Sequence, residues 1–100
     1  MIFAELQYDQ SYVDAHEPLV ALLSRHFSSV TSGLQIDSWA WVLDEEQKVA
    51  IDTFTSPTHQ VKSSEPSALV DRVLAVLAGE YRLRILQPPQ LEAHEEQDEC

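Results

Sequence analysis

From Ile2 to Tyr8 apolar and polar residues alternate. Ile2, Ala4, Leu6 and Tyr8 fall on one side, and Phe3, Glu5 and Gln7 on the other. Side chains in a strand repeat every two residues, so the segment predicts a strand with one strongly apolar face. The polar run DQSYVDAHEP follows. Pro18 suits the first position of a helix, where its missing N–H is unpaired in any case, and Leu19, Val20, Leu23, Phe27 and Val30 continue at helical spacing. Ser11 with Asp14 resembles a capping box and offers an earlier start, while Gly33 is read as the end of this segment. Residues 34–43 and 48–54 are rich in β-branched and aromatic side chains and flank the polar DEEQ, which predicts a hairpin. SPTHQVKSS after it reads as loop, with HQVKS a candidate short fifth strand near residues 58–63. Ser64, Glu65 and Pro66 open a second helix whose stripe of Leu69, Val70, Val73, Leu74, Val76 and Leu77 runs to Gly79. Finally YRLRIL sets Tyr81, Leu83 and Ile85 against Arg82, Arg84 and Leu86 before Pro88 and Pro89 stop the strand.

The order strand, helix, strand, strand, helix, strand resembles the ferredoxin-like β-α-β-β-α-β sandwich. That resemblance implies an α+β fold: a four-stranded antiparallel sheet in the order 4-1-3-2, with two helices on one face. It covers residues 2–87 and rests on topology alone, and so widely shared a fold does not fix a function. Residues 1–87 are therefore expected to form a single domain. Residues 88–100, with Glu92, Glu95, Glu96, Asp98 and Glu99 and no Lys or Arg, are expected to form a mobile acidic tail.

Both tryptophans, Trp39 and Trp41, lie on one face of the second predicted strand, and the strand is apolar on both faces. Pairing in the hairpin decides between them. A turn centred on Glu45 and Glu46 sets Val42 opposite Val49 and Ala40 opposite Ile51, and on the other face Trp41 opposite Ala50 and Trp39 opposite Asp52. The first face is small and aliphatic and suits a cover of helices. The second mixes large aromatics with a carboxylate, which a dry core tolerates badly. The tryptophans are accordingly expected on the helix-free face, together with Phe3, Glu5 and Gln7, and with Phe54, Arg82 and Arg84.

Such a face, with Phe3, Trp39, Trp41 and Phe54 as its apolar part, points to a contact surface, because monomers seldom leave large apolar patches wet. Three covers are in contention: a second copy or another protein, the chain's own 55–65 segment or tail, and a small ligand. Arg82 and Arg84 are the candidates for holding a small anion, with Asp52 on the same face. The formal charge of −11 opposes nucleic acid and anionic membranes as partners. Cys100 alone offers no disulfide, and no apolar run is long enough for a membrane span, so a cytoplasmic protein is expected. The first residues have no basic region of the kind that opens a signal peptide. The four histidines, His16, His26, His59 and His94, lack metal-ligand spacing, no serine sits in a Gly-x-Ser-x-Gly elbow, and two glycines cannot build a phosphate cradle. No metal, cofactor or catalytic residue is assigned from the sequence. The expectation is a non-catalytic interaction or dimerisation module, with small-ligand binding as the alternative.

Overall fold

The computed structural model describes residues 1–91. Its elements are β1 (Ile2–Gln7), α1 (Tyr12–His26), β2 (Val30–Leu34), β3 (Ser38–Asp44), β4 (Gln47–Asp52), β5 (Gln60–Lys62), α2 (Ala68–Ala78) and β6 (Arg82–Gln90). All strand pairs are antiparallel, in one six-stranded sheet of order β2-β3-β4-β5-β1-β6. The fold is α+β, but it is not the four-stranded arrangement expected. The candidate fifth strand forms as β5 and inserts between β1 and β4, and β2 adds a further strand at the edge beyond β3.

The added edge strand has a local cause. The segment read as helix up to Gly33 leaves the helix much earlier. Phe27 is extended, with φ −130°, and Val30–Leu34 pairs back onto β3 through Val30–Val42, Ser32–Ala40 and Gly33–Trp39. Residues 35–37 are thus a turn, not strand, and Tyr12 of α1 donates its hydroxyl hydrogen to the Ile36 carbonyl there. Gly33 is needed for space: a Cβ at this position would stand 2.6–2.7 Å from the Trp39 indole.

Helix α1 takes the earlier start. Ser11 is its N-cap and accepts a hydrogen bond from the Asp14 amide, leaving Pro18 inside the helix. Helix α2 is capped by Ser67, which accepts from the Val70 amide. The core lies between the two helices and one face of the sheet. Ala4, Leu6, Ala40, Val42, Val49, Ile51 and Val61 from the strands meet Leu19, Leu22, Leu23, Leu69, Val70, Val73 and Leu77 from the helices. Among the described residues no helix is long and apolar enough to cross a membrane.

Two irregularities shape the edge near β1. Register shifts between Ile2 and Ala4, so that Ile2 pairs with Lys62 but Ala4 with Val61, leaving Phe3 as an extra residue. Phe3 consequently joins the buried core cluster, whereas strict alternation put it on the helix-free face. On the other side Ile2 pairs with Gln90 and Ala4 with Ile85, so β6 bulges over residues 86–89 and continues through Pro88 and Pro89. Residues 88–90 are therefore strand and not tail. The acidic stretch from residue 92, with His94 and Cys100, lies outside the described residues.

Candidate functional site on the helix-free sheet face

The β3–β4 register is Trp39–Asp52, Ala40–Ile51, Trp41–Ala50 and Val42–Val49. Ala40, Val42, Val49 and Ile51 are fully buried beneath the helices, and Trp39 and Trp41 lie half-buried on the opposite face. Their rings meet at 4.9 Å between centroids, tilted by 43°, with Trp39 against Gly33 and the Lys48 ammonium 4.3 Å from the centre of the Trp41 ring. The aromatic pair thus has one closed end, at Gly33, and one open end, at Trp41.

Beside it runs a polar belt from β4 to β6. Lys62 and Asp52 form an ion pair at 2.8 Å with both side chains over nine-tenths buried. Gln60 donates to Glu5 at 2.8 Å, and Glu5 in turn accepts from Arg84, whose Nε lies 2.9 Å away. The Arg84 guanidinium holds the Glu5 carboxyl below its ordinary value; burial opposes this, and the Gln60 hydrogen bond assists it. Arg84 is therefore already engaged. Arg82, two residues away on the same face, borders a separate hollow with Glu5, Tyr8, Asp9 and Thr58. The two arginines expected to share one anion have different surroundings.

The belt is buried because the β4–β5 crossover, residues 53–59, folds across it. Thr55 donates to Gln60 at 2.9 Å and accepts from Lys62 at 3.4 Å, and the Phe54 ring centre is 6.0 Å from the Lys62 ammonium. Phe54 stands up from this ridge, 54% exposed. Between the Phe54 ridge and Trp41 lies a concavity of about 600 Å³, with Ala50 and the Lys62–Asp52 pair among the residues lining it and Ser63 and Ser67 at its rim. The crossover covers the belt. The tryptophan face stays open as a groove and not as a flat sheet.

The crossover is anchored by a polar cluster that the sequence did not signal. Ser38 is the hub. Its backbone carbonyl accepts from the Thr53 amide at 3.1 Å, and its amide donates to Thr53 Oγ1 at 3.2 Å. Its hydroxyl lies 2.7 Å from His59 Nε2 and 2.6 Å from His16 Nδ1. His59 Nδ1 is 2.7 Å from the Tyr8 hydroxyl, which also accepts from the His59 amide at 3.2 Å. Burial, and secondarily the positive charge His16 can carry, push the His59 imidazole down to about 4. Burial also raises the Tyr8 phenol. Neutral imidazoles satisfy every member: Tyr8 O–H donates to His59 Nδ1, His59 Nε2–H to Ser38, and Ser38 O–H to His16 Nδ1.

A serine between two imidazoles has the donor set of an activated nucleophile. However, Ser38 is 1% exposed and lines neither the Trp41 concavity nor the hollow beside Tyr8. The cluster is structural in placement. No spacing rule could have found it, because His16, Ser38 and His59 come from a helix, a strand and a loop. Among the described residues no three His, Cys, Asp or Glu side chains gather as a metal ion requires.

No family model, curated protein or solved structure matches the chain, so the functional reading rests on this face.

Proposed function

We propose that this protein is a non-catalytic interaction module that pairs with a second copy of itself through the helix-free face, Phe54 of each copy entering the Trp41 concavity of the other. The observation that carries this reading is the placement of an exposed aromatic side chain directly beside a hollow with Trp41 and Ala50 in its lining, on one surface. An isologous interface needs both halves of such a contact on the same patch, since the two-fold axis exchanges them. Charge favours the same face. Lys48, Lys62, Arg82 and Arg84, four of the chain's six basic residues, lie on it beside Glu5 and Asp52, with Glu46 and Glu65 lining the concavity, so it carries a smaller share of the −11 charge than the rest of the chain.

Sedimentation velocity over a concentration series tests the reading. The wild type should run with the mass of two chains. Phe54→Ala, which removes the knob, and Ala50→Arg, which fills the hollow, should each run as one chain with unchanged circular dichroism. A wild type that stays a single chain throughout would overturn it.

A second reading has its own support. A hollow of about 600 Å³ falls within the range of small-molecule sites, and Lys48, Ser63 and Ser67 supply polar groups at its edge. A ligand there would raise the melting temperature with concentration, and Ala50→Arg would abolish the rise.

A further inference from the structure

The Thr53–His59 crossover, which carries Phe54, is fixed at both ends to one residue. At its start Thr53 exchanges two hydrogen bonds with the Ser38 backbone; at its end His59 bonds the Ser38 hydroxyl. Between those points its described hydrogen bonds are weak or local: the Phe54 amide to Asp52 at 3.3 Å, the Ser56 amide to Thr53 at 3.5 Å and the Thr58 amide to Ser56 at 3.4 Å, besides the Thr55 contacts to Gln60 and Lys62. The far end is held by the backbone, the Leu6 amide donating to the His59 carbonyl at 2.8 Å, and by the titratable His59 ring, whose bonds continue to Tyr8 on one side and through Ser38 to His16 on the other.

We infer that the Tyr8–His59–Ser38–His16 chain is a proton-operated latch that holds the crossover closed, and with it the Phe54 ridge of the helix-free face. The latch itself follows from the cluster; its control of pairing rests on the function proposed above. Adding one proton places an imidazolium where the facing groups supply no countercharge. Tyr8 faces it from the end of β1, Ser38 from β3 and His16 from α1. Tyr81 stacks edge-on against Tyr8 from just before β6, and Asp37 is reached only through Thr53. Among the described residues no carboxylate bonds either ring. That charge is relieved by swinging the His59 ring out to water, which loosens residues 54–58 while the Thr53 end and the backbone bond from Leu6 to His59 stay tied.

The low titration point of His59 agrees with a latch that is closed at neutral pH and opens on acidification.

Amide hydrogen exchange of the full chain against pH, corrected for intrinsic rates, is the test, with sedimentation run in parallel. As pH falls below 6.5, protection at Thr58 and His59 should drop by up to about tenfold per pH unit, ahead of the core amides of Leu23 and Val42. His59→Gln keeps a donor and an acceptor but cannot titrate, so its crossover should exchange at a rate independent of pH. Ser38→Ala removes the hub and should expose the crossover already at neutral pH; if that variant does not fold, His59→Gln still decides. Loss of protection at the crossover and the core together overturns the latch, as does a pH dependence that survives in His59→Gln. If the wild type is a single chain at every pH, the pairing reading fails while the exchange profile still judges the latch. A pair that persists with the crossover open overturns the link between them.

Discussion

Acidifying the protein from pH 7.5 to pH 4 should remove about 3 kcal/mol of stability through His59 alone. The ring is fully buried, and its titration point lies at about 4 against 6.5 for an unhindered imidazole. A gap of that size corresponds to about 3 kcal/mol, since each pH unit between the two points is worth about 1.4 kcal/mol. The sign follows from proton counting. Between pH 6.5 and about 4 the unfolded chain binds a proton at this position that the folded chain refuses, so acid favours unfolding. The contribution is fully present above 6.5, shrinks as pH falls through that window, and is gone below about 4. The seventeen carboxylates of the chain also titrate toward the lower end, so the measurement must isolate the histidine. Urea unfolding of wild type and of His59→Gln from pH 8 to pH 4 does this, with the difference between the two profiles as the quantity of interest. The wild-type curve should fall more steeply than the variant's between pH 6.5 and 4, by about 3 kcal/mol in total. Parallel profiles would refute the premise that His59 is held neutral by burial.

Further expectations follow from the sheet and the second helix. Gly33→Val puts side-chain atoms where the Trp39 ring lies, and should cost about 1–3 kcal/mol in urea unfolding while shifting tryptophan emission. Asp52→Ala removes the carboxylate 2.8 Å from the buried Lys62 ammonium and should destabilise by about 3 kcal/mol, whereas Asp52→Leu combined with Lys62→Met should stay closer to wild type. Thermal unfolding of the single and double variants compares the two cases. Ser67→Ala removes the cap of α2 and should cost about 1 kcal/mol, read as a lower urea midpoint with unchanged slope.

The direction of the tryptophans was legible because a hairpin couples four residues at once. Once Val42 faces Val49 and Ala40 faces Ile51, period-two geometry leaves Trp39 and Trp41 no choice of side. Arg82 and Arg84 were placed by the same rule through their pairing with Gln7 and Glu5. Phe3 escaped it. The extra residue between Ile2 and Ala4 changes the phase of β1, and a bulge of one residue has no signature in alternating apolar and polar letters. Gly33 misled for a related reason. A glycine after an apolar run reads as a helix stop, but here it serves a close approach of the Trp39 ring across β2 and β3.

What the sequence determined by itself is therefore local and periodic: two helices, though α2 starts at its Ser67 cap and not at Ser64–Pro66, the β3–β4 register, the aliphatic face that the helices cover, and an overall charge that opposes anionic partners. What only the tertiary structure decided is everything that depends on which segments meet. The insertion of β5 beside β1 and the Tyr8–His59–Ser38–His16 chain each join residues more than twenty positions apart, and the ridge that turns an open sheet face into a groove depends on where that insertion places residues 53–59. Periodicity reports the direction of a side chain relative to its own backbone. The partner it meets there is fixed by the packing of the whole chain, and for His16, Ser38 and His59 that partner defines their chemistry.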